Sequence, residues 1–250
     1  MDSDTKTTKA HWNEVWAVTP RMRLPSGMHI GVRNLQQLLR RHVRRGSSFL
    51  EIGCAPGKLL AWVAVELGAS VSGLDYSPRG IDMAECLFET LRIPGNLRCE
   101  DVFATSFSAN RFDYVFSAGV IEHFDDPSRI VARHVSLLKP GGLAIITVPN
   151  YGGWYGAFQK RVDPANLAIH NTAIMSIAAL RALVPEAGVA QVRAYPAGRF
   201  SPWLITWNRM LPRPLATLAV YGGNLLGLLQ PVRVASLCPM LVLEIRRAAP

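Results

Sequence analysis

Between residues 48 and 148 short apolar runs of strand length alternate with amphipathic helical stretches, and this alternation limits the chain more than any other feature. Ser48 to Ile52 reads as a buried strand, and Lys58 to Leu67 as a helix stopped by Gly68. Ser70 to Asp75 is the next strand. Ser77 then offers an N-cap oxygen with Pro78 at the first helical position, and Ile81, Ala84, Leu87, Phe88 and Leu91 recur at helical spacing. Strands follow at 96–102, 112–117 and 143–148, the last preceded by a helix over 127–138 and by the turn Lys139, Pro140, Gly141, Gly142. Such alternation predicts an α/β fold, a mostly parallel sheet covered by helices on both faces.

Beyond Val148 the pattern loosens through an aromatic, glycine-rich loop, Tyr151 to Phe158. It resumes with a predicted helix over 172–187, a strand over 190–195 and a last strand over 238–245. Residues 1–45 form a basic, Trp-bearing preface expected to fold as a helical cap over a domain spanning 46–250. The stretch from about 199 to 237 is too long for a simple loop and reads as a helical insertion. Within it, residues 214–232 carry no charge. Gly222, Gly223, Asn224 and Pro231 argue against a membrane span there.

The 250 residues carry 27 basic and 18 acidic side chains, a net charge of +9, and 49% hydrophobic residues rule out global disorder. The charge is uneven. Residues 1–50 hold nine basic against three acidic side chains, 51–150 eight against twelve, and 151–250 ten against three. The middle is therefore a poor polyanion binder, while the flanks suit a solvated surface, an anionic membrane surface, nucleic acid or an acidic substrate. Four cysteines without a CxxC pair, and no leading apolar segment, point to a cytoplasmic location.

The strongest local motif is Leu50, Glu51, Ile52, Gly53, Cys54, Ala55, Pro56, Gly57, joining the first strand to its helix. In open α/β sheets ligands sit outside the carboxyl ends of the strands. A dinucleotide fingerprint would need glycine at Ala55 and Lys58, and Glu51 would repel a pyrophosphate. It suits a ligand bearing an amino group. Asp75 closes the second strand 22 residues after Gly53, a spacing at which a carboxylate accepts hydrogen bonds from both ribose hydroxyls; the same residue also suits a helix N-terminus beside Ser77. Asp101, after Glu100, stands where the exocyclic amine of an adenine could be met.

Taken together these residues resemble the class I S-adenosylmethionine-dependent methyltransferases, with quinone-type and natural-product enzymes among the similar members. The resemblance implies a three-layer Rossmann-like fold with a seven-stranded, mostly parallel sheet and an antiparallel last strand. It carries S-adenosyl-L-methionine binding to Glu51, Gly53, Cys54, Ala55 and Gly57, to Asp75 and Tyr76, to Asp101 and Val102, and to Ser117 and Ala118. Ala55 and Pro56 depart from the family's usual turn.

His123 is the first candidate for a general base, because it follows the fourth strand and an imidazole of pKa ~6.5 suits the task; His170 is the second. The Glu122–His123 pair serves equally well as a loop-ordering element. Trp12, Trp16, Tyr151, Trp154, Phe200 and Trp203 lie in segments that would surround the acceptor, where they line an apolar pocket or simply pack the core. No metal-ligand pattern is read. Ser117, Ala118, Gly119 and Val120 stand where an amine-methylating enzyme of nucleic-acid bases would carry Asn- or Asp-Pro-Pro-aromatic. The expectation is methyl transfer to a small, apolar or aromatic acceptor. A membrane-surface lipid or quinone enzyme, an RNA methyltransferase and a non-catalytic cofactor-binding protein remain as alternatives, and peripheral membrane contact through the insertion competes with a lid over the acceptor.

Overall fold

The computed structural model describes residues 5–17, 23–25, 29–230 and 234–249. Two helices, α1 (Lys9–Ala17) and α2 (Ile30–His42), precede the sheet. Then come β1 (Ser48–Ile52), α3 (Lys58–Trp62), β2 (Ser70–Asp75), α4 (Pro78–Leu91), β3 (Gly95–Cys99), β4 (Phe112–Ala118), α5 (Pro127–Leu137) and β5 (Leu138–Pro149). The remainder holds α6 (Trp154–Val162), α7 (Pro164–Ala168), α8 (Ile177–Ala182), β6 (Val189–Ala197), α9 (Arg213–Leu229) and β7 (Met240–Arg247).

All seven strands join one sheet in the order β3-β2-β1-β4-β5-β7-β6. The strands β3, β2, β1, β4 and β5 pair in parallel, whereas β7 runs antiparallel to both β5 and β6. This is the doubly wound, Rossmann-like arrangement expected from the alternation of elements. Successive side chains of a strand point to opposite faces. Val115 and Ile146 accordingly join the buried cluster on one face with Leu50, Ile52, Ile130 and Tyr155, and Phe116 and Ile145 join the other with Phe49, Leu60, Val71 and Val242.

Several boundaries move for local reasons. The first crossover helix leaves α-helical geometry at Trp62 and finishes as a π-helical turn, Val63–Leu67. The third strand stops at Cys99, because the Asp101 side chain accepts from the Phe103 amide and its carbonyl from the Ala104 amide, folding 101–104 into a turn. The helix expected over 172–187 is divided into a 3-10 turn, Thr172–Ile174, and α8, which starts afresh where Ser176 accepts from the Ala179 amide.

The segment between β6 and β7 contains 3-10 turns and α9. Its glycines do not interrupt the helix. A side chain at Gly227 would lie 2.1 Å from the Phe200 carbonyl oxygen, and one at Gly223 would lie 2.6 Å from Pro202 Cγ, so these positions form the face that packs closely. Leu215, Leu218, Tyr221, Leu225, Leu226 and Leu229 are left facing outward. Pro231, Val232 and Arg233, the end of the uncharged window and its basic flank, lie outside the described residues. Among the described residues no helix is long and apolar enough to cross a membrane.

Candidate functional site

Because β1, β2 and β4 are parallel, their carboxyl ends open at one edge of the sheet. Gly53 leaves β1 with φ +73° and its amide donates to the Leu74 carbonyl at 2.7 Å, which ties the loop to the end of β2. A Cβ at Gly53 would stand 2.5 Å from Val120 Cγ2; only glycine allows both the left-handed turn and this approach. Gly57, at φ +84°, caps α3 and has Ala84 of α4 against it.

Asp75 is buried, with Oδ2 accepting from the Ala55 amide at 3.1 Å and Oδ1 from the Ser77 amide at 2.9 Å. Burial raises its pKa, and the backbone hydrogen bonds pull it back. Glu51 is buried at the tip of β1, with no hydrogen-bond partner for Oε2 among the described residues. Desolvation, and then the Asp75 charge, push its pKa well up. A cationic amino group is the partner such a carboxyl lacks. Burial and both neighbouring carboxyls also raise the Cys54 thiol.

The other expected cofactor residues are placed less alike. Tyr76 follows Asp75 directly, and its carbonyl accepts from Cys99 Sγ at 3.9 Å. Asp101 sits in the turn after β3, and the Val102 carbonyl already accepts from Arg133 Nε at 2.9 Å. Ser117 turns its hydroxyl into the core toward His134 Nε2 at 2.9 Å, so its side chain is committed there, while Ala118 ends β4 beside the loop.

The expected cap over the domain takes specific form in α1. Asn13 of α1 accepts from the Ser77 hydroxyl at 2.7 Å, while the same hydroxyl accepts from the Gly80 amide. A Cβ at Gly80 would lie 2.5 Å from the Ala55 Cβ and 3.0 Å from the Trp16 indole, so Trp16 lies near the loop after β1, and its buried Nε1 has no partner among the described residues. Trp12 stacks on Trp16 at 6.0 Å and meets His123 edge-on at 5.3 Å. Lys6 donates its amide to the His123 carbonyl.

His123 ends the 3-10 turn Ile121–His123 that follows β4. Its ring lies 4.8 Å from that of His170, which in turn meets Tyr151 at 5.3 Å. Burial, the neighbouring His170 and His11 push the His123 pKa down to about 4, against the Ile169 carbonyl. Burial also lowers His170 and raises Tyr151. Glu122, between Ile121 and His123, is fully buried, and neither carboxyl oxygen has a partner among the described residues; desolvation raises it to about 8.

The expected acceptor aromatics divide into three places. Trp12 and Tyr151 meet His123 and His170, and Trp16 stacks on Trp12. Trp154 and Phe200 belong to a second cluster with Tyr155 and Phe158. Trp203 packs on Gly31 and His29 of the N-terminal segment, apart from both.

A family model describing a methyltransferase domain matches residues 50–146. The chain is similar to a ubiquinone biosynthesis O-methyltransferase of Coxiella burnetii, 33% identical over 106 residues, 42% of this chain and 45% of that protein. It is also similar to phosphoethanolamine N-methyltransferase 2 of Caenorhabditis elegans, 37% identical over 112 residues, 44% of this chain and 25% of that protein. The chain thus spans less than half the length of the curated relatives it matches. In fold it is similar to phosphoethanolamine N-methyltransferase 2 of Haemonchus contortus, solved with phosphomonomethylethanolamine and S-adenosylhomocysteine, at a TM-score of 0.61 and 20% identity over 97% of this chain and 58% of that one.

Proposed function

Since the chain carries a methyltransferase domain of the class I, S-adenosylmethionine-dependent family, we propose that it methylates a small, apolar or aromatic acceptor, with the cofactor held by the β1 and β2 loops and the acceptor under α1. One observation carries this reading above the others: the unpartnered Glu51 oxygen, the Gly53 turn and the Asp75 carboxylate lie on one continuous loop pair at the carboxyl edge of the sheet.

When bound, S-adenosylmethionine supplies an electrophilic methyl group on a sulfonium. Glu51 would hold its ammonium group and Asp75 its ribose hydroxyls, while Gly53 leaves the backbone room to approach. Trp12 and Trp16 would exclude water and orient the acceptor, and orientation supplies most of the rate in such a transfer. Glu122, His123 and His170 are the groups at which an acceptor's proton is handled. The names of the similar proteins support an oxygen or nitrogen acceptor of low molecular weight.

Calorimetry with S-adenosylhomocysteine on the wild type and on Asp75→Ala, together with cofactor consumption against a panel of phenols, hydroquinones and amino alcohols, tests the proposal. Tight product binding that the substitution weakens, and turnover of one panel class, are expected. Equal affinity in both proteins would remove the site, and binding without turnover of any acceptor would favour a non-catalytic binding protein.

The outward leucines of α9 favour a second element of this reading, contact with an anionic membrane surface. No acidic residue occurs between Glu186 and Glu244, whereas Arg193, Arg199, Arg209, Arg213 and Arg233 do. Apolar side chains on an exposed helix within a wholly basic stretch suit an anionic lipid interface. A lid that buries this face within the same chain is disfavoured by its exposure. Co-sedimentation with phosphatidylglycerol vesicles at low and high salt is expected to show salt-sensitive retention, and its absence would return α9 to a role in protein contacts.

A further inference from the structure

We propose that Glu122, His123 and His170 form a binding site for a divalent transition-metal cation of the Zn2+ or Mn2+ type. The ligand set stands on geometry alone, and only its consequence for the acceptor rests on the methyltransferase reading. Glu122 and His123 are neighbours in the turn after β4, and His170 lies 47 positions further on, after α7. The chain is pinned where these segments meet, because the Asn171 amide donates to the Glu122 carbonyl at 2.7 Å and the Asn171 side chain to the Phe124 carbonyl at 3.4 Å. One ligand atom from each of the three side chains lies within 4.8 Å of the other two.

Both imidazoles are already set for metal binding. A backbone carbonyl only accepts, so the ring nitrogen facing it must carry the proton. His123 Nδ1 therefore donates to the Ile169 carbonyl at 2.9 Å and His170 Nδ1 to the Asn166 carbonyl at 2.8 Å. In a neutral ring the proton on Nδ1 leaves the lone pair on Nε2. A carbonyl that fixes tautomer and ring orientation in this way is the usual outer partner of a metal-binding histidine. The third group supplies the charge. Glu122 is 1% exposed and neither of its oxygens has a partner among the described residues, an arrangement that costs free energy unless something satisfies the carboxylate.

The donor set selects the cation. Two neutral imidazoles and one carboxylate suit Zn2+, Mn2+ or Fe2+, whereas Mg2+ and Ca2+ prefer oxygen ligands throughout. Bonds of about 2.0–2.2 Å require the three donors to move inward by roughly 1 Å each from their present spacing. Three protein ligands leave further positions open, as catalytic rather than structural sites do. A hydroxyl placed on such a cation gives up its proton near neutrality, so the site points to a hydroxyl-bearing acceptor. Trp12 against His123 and Tyr151 against His170 enclose it in aromatic surface.

The test uses the full chain, stripped with chelator and desalted, titrated with Co2+ by visible absorption and with Zn2+ by calorimetry. One ion per chain is expected, with affinity reduced at least about tenfold in Glu122→Gln, nearly isosteric and so expected to fold, and in His170→Ala. A wild-type crystal soaked in Zn2+ should show an anomalous peak among the three side chains, a result that needs no variant. Absence of saturable binding, equal affinity in all three proteins, or an anomalous peak elsewhere only, would overturn the proposal. S-adenosylhomocysteine binding by the metal-free chain separates the two readings. Product binding without metal binding removes the cation site and leaves the methyltransferase, and metal binding without product binding does the reverse.

Discussion

Asp75 and Glu122 are both buried carboxyls at the carboxyl edge of the same sheet, yet the chain treats them in opposite ways. Each oxygen of Asp75 accepts a backbone amide, from Ala55 and Ser77, whereas neither oxygen of Glu122 has a partner among the described residues. The difference shows which parts of the site are finished by the fold. On the proposed reading the cofactor side would be assembled from backbone groups of the β1 and β2 loops, where two amides hold Asp75. The acceptor side would be assembled from side chains of three separate segments, and its acid has no partner among the described residues.

The largest effect is expected where backbone shape alone makes the cofactor side. Gly53 combines φ +73° with Val120 Cγ2 at 2.5 Å from the position of a Cβ, so Gly53→Arg must both strain the turn and fill it. S-adenosylhomocysteine affinity should fall more than about a hundredfold, or roughly 2.7 kcal/mol, with the far-UV circular dichroism retained. His170→Ala, on the acceptor side, should leave the same affinity within about threefold. Comparable losses in both would mean that the two sides are one site, and the comparison would fail.

Asp75→Ala comes next. Losing a charge-assisted hydrogen bond should cost ~1.5–3 kcal/mol and weaken product binding roughly ten- to a hundredfold. The substitution also strands the Ala55 and Ser77 amides, so the melting temperature should drop together with affinity. A drop in stability with affinity unchanged would make Asp75 a capping residue only.

How far the sequence revealed each side follows from the same contrast. Strand ends, the glycine turn and Asp75 recur at fixed offsets along one βαβ unit, and local periodicity exposes them. The third strand ends three residues before its expected limit, since only the Asp101 side chain's bond to the Phe103 amide shows that the chain has turned. Nothing local pairs Asn13 with Ser77 or brings His170 to Glu122, because those meetings depend on how α1 and the segment after α7 dock. The sequence marks Gly222, Gly223 and Asn224 as a break in an apolar face, and only the fold shows Gly223 and Gly227 in close contact with Pro202 and Phe200.

A third buried polar group avoids charge altogether and gives a pH test of the finished half. His134 donates Nδ1–H to the Ile130 carbonyl and accepts the Ser117 hydroxyl at Nε2, and complete burial lowers its pKa to about 4. The unfolded chain takes up that proton near pH ~6.5 and the folded chain does not until about 4. Its stabilising contribution is therefore complete above ~6.5 and is lost as the pH falls from there to about 4. By pH ~5 wild type should lose roughly 2 kcal/mol of its stability margin over His134→Gln, measured by urea unfolding at both pH values. A margin independent of pH would show that the imidazole takes up its proton as readily in the folded protein as in the unfolded chain.

The smallest effect on the fold is expected at α9, whose outward face meets solvent. Leu218 and Leu225 are 66% and 57% exposed, so replacing both by glutamine removes little buried surface. Stability should change by no more than about 0.5 kcal/mol per site, and product affinity should not change. Vesicle binding should respond differently. Partial burial of each leucine in the interface contributes on the order of 1 kcal/mol, and the arginines of the stretch add an attraction that salt screens. The double variant should therefore partition onto phosphatidylglycerol vesicles roughly thirtyfold less strongly, with its salt dependence preserved, because the arginines remain. If partitioning is untouched while sedimentation velocity shows wild-type dimers that the variant lacks, the leucines serve a contact between copies. The outward face of α9 would then be covered by protein and not by lipid.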